Sequence, residues 1–178
     1  MDTSLTLPTT LLLLTLFAGG VQAQQGDPAP LETVLNFQRV DGRLASSGQI
    51  GLDQVPLIRD EGYEVVVNLA VADERNEGEG DAVAKAGLTY VHIPVVWEAP
   101  TVDDVEMFLD VMRANQNRKV YVHCIANMRA SAFMYMYRTL IEGVPEEEAR
   151  ATMLAVWDPD DREQWGSLVR EVMSRRGR

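Results

Sequence analysis

The sequence is poor in positive charge. Its 178 residues carry 27 acidic side chains against 16 Lys and Arg, which gives a net charge of −11 at pH 7. Such a charge repels nucleic acid phosphates and anionic membrane surfaces at long range, so neither is an expected partner. Any anionic substrate must therefore be attracted by a local pocket rather than by the field of the whole protein.

Cysteine is almost absent as well. Cys124 is the one cysteine, which excludes an internal disulfide. A solitary thiol in an oxidising compartment is a liability unless it is buried or used in chemistry. Cys124 is therefore the first candidate for a functional residue, and a buried structural thiol is the alternative.

The N-terminal segment has no Lys or Arg, but it has the other features of a secretory signal peptide. The apolar run over residues 11–20 is shorter than the roughly 20 residues of a membrane span. Val21-Gln22-Ala23 then supplies a small-x-small cleavage pattern. We predict a signal peptide over residues 1–23, a flexible leader over 24–31 and a single domain over 32–178. The mature protein would be periplasmic or secreted without stable membrane insertion; an uncleaved N-terminal anchor is the alternative.

Short apolar runs alternate with helical patterns along the predicted domain. Asp41-Gly42 indicates a hairpin, and nearly continuous apolar runs predict buried strands at residues 63–69, 88–94 and 119–123. Helices are predicted at residues 52–60, 81–86 and 129–141, from Thr101, from Pro145 and at 161–175. The acidic stretch 73–81 is interpreted as a solvated loop that leads into a helix; the alternative is that one of its acids Asp73, Glu74, Glu77 and Glu79 reaches a functional site. This alternation predicts an α/β fold with a mostly parallel central sheet flanked by helices.

Cys124 lies where a predicted buried strand ends and a helix begins. The free amides and partial positive charge of a helix N-terminus favour both a bound anion and a thiolate. Arg129 follows five residues later, and its planar guanidinium can bind two oxygens of one oxyanion. Together these features predict a nucleophile that faces a bound tetrahedral anion.

The segment His123-Cys124-Ile125-Ala126-Asn127-Met128-Arg129 resembles the phosphate-binding loop of protein tyrosine and dual-specificity phosphatases. Residues 39–49, 65–69 and 92–95 are similar to bacterial phosphatase-like domains found beside beta-lactamase-like hydrolases. The resemblance implies hydrolysis of phosphate monoesters through a phosphocysteine on Cys124, with Arg129 binding the phosphate and His123 orienting the loop. It implies a phosphorylated protein or small molecule as the partner, and neither a metal ion nor a cofactor. The remaining residues of the implied phosphate-binding loop are Ile125, Ala126, Asn127, Met128, Ala130 and Ser131.

Three departures from that family pattern stand out. The spacing is Cys-x4-Arg rather than Cys-x5-Arg, which removes about 3.3–3.6 Å of reach and one amide donor. Asn127 takes the place of the usual loop glycine and is the residue type that best replaces it at positive φ. Ala130 stands where a hydroxyl residue usually follows the arginine, with Ser131 one position later. The resemblance places the general acid on the loop after the preceding strand, where Glu98 is the best-placed carboxyl group.

Two other functions remain open at the level of the sequence. A rhodanese-type sulfurtransferase also has a short loop around its cysteine, and a compact loop suits a sulfur atom. A catalytically weak phosphate- or phosphoprotein-binding module would tolerate the altered loop and the uncertain acid. Trp157 and Trp165 are interpreted as packing residues of the C-terminal helices.

Overall fold

The structure, a computed structural model, describes Met1 and residues 29–175. The predicted signal peptide after Met1, its cleavage site and most of the predicted leader lie outside the described residues. Within the described part of the chain, no helix is long and apolar enough to cross a membrane.

A five-stranded sheet forms the centre of the fold. Its strands are β1 (Gln38–Arg39), β2 (Leu44–Ser47), β3 (Val65–Asn68), β4 (Thr89–His92) and β5 (Val120–His123). They lie in the order β1-β2-β5-β3-β4. The hairpin partners β1 and β2 are antiparallel, and the other neighbouring pairs are parallel. The predicted α/β class and mostly parallel sheet are confirmed.

Helices cover both faces of the sheet. The α-helices are α1 (Val55–Asp60), α2 (Glu79–Lys85), α3 (Val102–Ala114), α4 (Met128–Leu140), α5 (Glu146–Leu154) and α6 (Glu163–Ser174). Short 3-10 helices occur at Leu31–Thr33, Leu52–Gln54 and Pro159–Asp161. The predicted capping box of α3 is confirmed, because Thr101 Oγ1 accepts from Asp104 N and Asp104 Oδ2 accepts from Thr101 N.

Strand β3 shows why the sequence has a continuous apolar run at residues 63–69. Val65 and Val67 pack with α3, α4 and α6 on one face, whereas Val66 packs with α1 and α2 on the other. Because successive side chains of a strand point to opposite faces, a strand covered on both sides needs apolar residues at every position. Burying each of these side chains contributes roughly 1.5–3 kcal/mol, so the run is a requirement of the fold.

The carboxyl ends of the parallel strands form one row. Ser47 of β2 pairs with His123 of β5, and Asn68 of β3 pairs with both His123 and His92 of β4. Residues that follow these positions therefore emerge at the same edge of the sheet. In open α/β sheets this edge is where ligands bind.

Candidate functional site

Cys124 is the first residue beyond β5 at this edge. Its backbone N donates to Ser47 O over 3.2 Å, which continues the pairing of β5 with β2 by one residue. The thiol is free and the residue is 0% exposed. Burial is compatible with a structural thiol and with a nucleophile at the floor of a site. The geometry of the surrounding loop distinguishes between these two interpretations.

The loop after Cys124 is fastened by its carbonyl groups. Ile125 O accepts from Gln49 N over 3.1 Å, and Ala126 O accepts from Asn36 Nδ2 over 3.0 Å. A carbonyl and the next N–H point in opposite directions across a planar trans peptide, so the Ala126 amide points away from Gln49.

Amides of the loop and of the first turn of α4 have no acceptor within residues 29–175. The Asn127 side chain, which precedes α4, does not cap it. Several free donors at a helix N-terminus favour a ligand that accepts from all of them, because it supplies the hydrogen bonds that the backbone there leaves unmade. A tetrahedral oxyanion has that capacity. The free amides belong to Ile125, Ala126, Met128, Arg129 and Ala130.

Asn127 adopts the left-handed conformation predicted for it, with φ of 62°. Its side chain does what glycine could not do: Nδ2 donates to Asn36 O over 2.6 Å and to Ser46 Oγ over 3.1 Å. Asn36 is itself at φ 51° and donates back to the loop carbonyl of Ala126. The two asparagines therefore hold the turn reciprocally, and the role of Asn36 was missed from the sequence.

Arg129 occupies the first turn of α4 and is only 8% exposed. Its Nε donates to Val95 O over 2.9 Å, and its guanidinium carbon lies 5.3 Å from the centre of the Trp97 ring. No carboxylate among residues 29–175 forms an ion pair with it, and neither terminal nitrogen donates to an acceptor there. A cation without an ion-pair partner at a helix N-terminus is unfavourable unless an anion joins it.

Trp97 joins the loop after β4 to the C-terminal region. Its carbonyl accepts from Trp165 Nε1 over 3.0 Å, and its ring centre lies 5.0 Å from that of Trp165 and 5.3 Å from that of Trp157. Trp157 Nε1 in turn donates to Met128 O over 2.9 Å, at the start of α4. The predicted packing of Trp157 and Trp165 is confirmed, but their indole N–H groups also fix two borders of the site.

Glu98 lies next to Trp97 on this loop, and its side chain is exposed. Its neighbours Val95 and Trp97 both contact Arg129, so the loop that carries Glu98 borders the candidate site. Ser131 has its hydroxyl turned back into α4, where Oγ donates to Met128 O over 3.1 Å. Ala130 is buried in the core that packs under this helix.

His123 is buried beneath the loop and bonded to an acidic residue. Its Nε2 lies 2.8 Å from Glu79 Oε1, and because an ionised carboxylate only accepts, Nε2 carries the proton. The interpretation of Glu79 as part of a solvated loop is wrong: it is 0% exposed and begins α2, two residues earlier than predicted. Burial raises the pKa of Glu79, but the hydrogen bond and charge of His123 and a hydrogen bond from Gln49 outweigh this effect, so the pKa of Glu79 lies below its usual value.

Comparison with known proteins places the chain among phosphatases. Residues 33–165 match the family described as PTP-NADK, a DSP-PTPase phosphatase fused to NAD+ kinase. A candidate phosphatase from Shewanella putrefaciens CN-32 is similar in structure, with 36% identity, a TM-score of 0.75, and coverage of 83% of this chain and 95% of that one.

Two further proteins share less sequence identity with this chain. TpbA of P. aeruginosa, solved as a cysteine-to-serine variant in complex with pTyr, shares the fold at 21% identity and a TM-score of 0.63, covering 79% of this chain and 87% of its own. A beta-lactamase hydrolase-like protein of Xylella fastidiosa is 30% identical over 109 residues, which are 58% of this chain. The match spans only 25% of the length of that relative.

Proposed function

Because the chain belongs to the family of DSP-PTPase phosphatases fused to NAD+ kinase, we propose that it hydrolyses phosphate monoesters through a phosphocysteine on Cys124. The observation that carries the proposal is the buried Arg129, whose terminal nitrogens are unpaired among residues 29–175. The amides of the loop and of the first turn of α4, the helix that carries Arg129, also have no acceptor in the same residues. A phosphate monoester brings the negative charge and the acceptor oxygens that both groups need.

In the first step the thiolate of Cys124 attacks phosphorus. The Sγ–P bond forms while the bond from phosphorus to the ester oxygen breaks, and the phosphoryl group passes to sulfur. Arg129 and the loop amides bind the three non-bridging oxygens, where negative charge is spread in the transition state. We assign to Glu98 the proton that the departing ester oxygen receives.

In the second step water attacks the phosphocysteine. The water oxygen bonds to phosphorus, the Glu98 carboxylate takes its proton, and the P–S bond breaks to return the thiolate. Inorganic phosphate leaves, and Glu98 is again protonated for the next cycle. The cycle uses water as its only co-reactant, and every group returns to its starting state.

The proposed substrates are phosphorylated proteins or small phosphate monoesters. With a net charge of −11, the chain repels anions at a distance, so binding energy must come from close contacts such as those of Arg129. Phosphotyrosine, which the TpbA variant binds, is a suitable probe because its phenol is a poor leaving group compared with p-nitrophenol.

The test of this function compares two assays on the purified protein. We expect release of p-nitrophenol from p-nitrophenyl phosphate and no transfer of sulfur from thiosulfate to cyanide. The expectation rests on the match of residues 33–165 to a phosphatase family, because the three oxygens of thiosulfate could accept from the same loop amides and guanidinium as a phosphate. Formation of thiocyanate without any release of p-nitrophenol would contradict the proposal and favour a sulfurtransferase.

Replacing Glu98 by Gln tests the assigned general acid. We expect kcat/KM on phosphotyrosine, which reports the first chemical step and not the hydrolysis of the phosphocysteine, to fall by about 10²-fold, since its phenol, with a pKa of about 10, needs a proton to leave. On p-nitrophenyl phosphate the loss is expected to be much smaller, because p-nitrophenolate leaves without help. Asp103→Asn, at an exposed residue in the first turn of α3, serves as the matched control. Equal losses on both substrates would remove Glu98 from this role.

A further inference from the structure

The buried carboxylate of Glu79 connects the ends of two strands that support the site. Oε1 accepts from His123 Nε2 at the end of β5 over 2.8 Å and from Asn68 Nδ2 at the end of β3 over 3.1 Å. His123 and Asn68 are paired in register, so one carboxylate oxygen holds neighbouring strands together. His123 directly precedes Cys124.

The other carboxylate oxygen reaches the segment that follows β2. Glu79 Oε2 accepts from Gln49 Nε2 over 2.7 Å. The backbone N of Gln49 donates to Ile125 O in the loop, and the adjacent Gly48 forms a bridge with Ala126. A side chain from α2 is thus linked to the loop along two routes, through His123 and through Gln49.

Burying an ionised carboxylate at this position is energetically unfavourable compared with burying an apolar side chain of similar size. Removing the carboxylate from water costs several kcal/mol, which the hydrogen bonds from His123, Asn68 and Gln49 and the electrostatic attraction of His123 offset. An apolar residue would serve packing alone, but it would leave His123 Nε2 without an acceptor and would remove one acceptor each from Asn68 Nδ2 and Gln49 Nε2. Since these donors lie on three separate segments that meet at the loop, their shared acceptor sets the relative position of the segments.

We propose that Glu79 is a positioning residue for the oxyanion loop, acting through His123 and Gln49 on the backbone that carries Cys124 and Ile125. This inference rests on the proposed function. Glu79 does not touch the reacting atoms; it fixes the direction of the loop amides. In catalysis a displacement of about 1 Å can cost on the order of 10²-fold in rate, so such a support has a measurable effect.

The experiment compares Glu79→Met, which removes both acceptors, with Glu79→Gln, which keeps one. In the Gln variant Oε1 still accepts from His123 and Asn68, and Gln49 can rotate its amide to accept from the new NH2 group. We expect kcat/KM on p-nitrophenyl phosphate to fall roughly 100-fold for Met and about tenfold or less for Gln. The Kd for inorganic phosphate, measured by calorimetry in the Cys124→Ser background, should rise in the same order.

Two further variants keep the test decisive. Glu77→Gln changes an exposed acid two residues away and should leave kcat/KM and Kd unchanged. Gln49→Met removes the contact to Glu79 Oε2, together with a hydrogen bond to the adjacent Ile50 O, from a half-buried position, so it tests the second route even if Glu79→Met does not fold. We expect it to lower kcat/KM by several-fold.

Lower thermal stability with unchanged kcat/KM and unchanged phosphate Kd at 20 °C, in Gln49→Met and, where it folds, in Glu79→Met, would overturn the inference and leave Glu79 with a structural role. Failure of the proposed function has a different signature. In that case the unmodified chain itself does not release p-nitrophenol, whether or not it binds phosphate. If the wild type is active and the variants have the same kcat/KM and phosphate Kd as the wild type, only the proposed role of Glu79 is refuted.

Discussion

Cys124→Ser is expected to abolish turnover of p-nitrophenyl phosphate while phosphate binding is retained. Serine keeps nearly the same shape, but its hydroxyl is a weak nucleophile without an adjacent base, so kcat should fall by about 10⁴-fold or more. The oxyanion contacts come from Arg129 and from backbone amides, which the substitution leaves in place. Calorimetric titration with inorganic phosphate should therefore give a Kd close to that of the wild type.

The covalent step can be checked on the same proteins. Cys124 is the one cysteine of the chain. A phosphate adduct that is present on the wild type and absent from Cys124→Ser can therefore be assigned to Cys124 without peptide mapping. Acid quenching during turnover followed by intact-mass measurement should detect the adduct on the wild type and not on Cys124→Ser. Full activity of the serine variant would refute the phosphocysteine mechanism. Loss of both turnover and phosphate binding would indicate instead that the thiol shapes the loop.

The sequence predicted the parts of the fold that depend on local patterns. The run that became β3 is apolar at every position because both faces are covered, and this requirement is visible in a single segment. The left-handed conformation of Asn127 was likewise predictable, since few residue types adopt it and the turn after β5 needs one. The position of Cys124 between strand and helix followed from the same local evidence.

Glu79 and Trp97 could not be found in this way, because their roles depend on distant residues. Glu79 lies in an acidic stretch typical of exposed loops, yet its partners His123 and Gln49 are 44 and 30 positions away. Trp97 is fixed by Trp165, which is 68 positions further along the chain. A single buried acid among exposed ones has no compositional signature. Only the packing of α2 against the strand ends distinguishes Glu79 from Glu77.

Arg129→Lys is the second substitution with a large expected effect, because it retains the charge and removes everything else that the structure assigns to this side chain. The Nε donor to Val95 O disappears, and so does the planar group that lies against Trp97. An ammonium group also cannot present two parallel donors to one phosphate. We expect kcat/KM on p-nitrophenyl phosphate to fall by about 10²–10³-fold.

Arg138→Lys provides a control of the same chemical type on the same helix. Arg138 is also buried in α4, but its donors go to Glu148 and Thr152. Its replacement should lower the melting temperature and leave kcat/KM within a few-fold of the wild type. If Arg129→Lys were equally active, charge alone would suffice for phosphate binding, and the shortened Cys-x4-Arg loop would not depend on a guanidinium. If it instead loses activity while Arg138→Lys does not, the loss comes from the geometry of the guanidinium at the site, because both variants keep the positive charge.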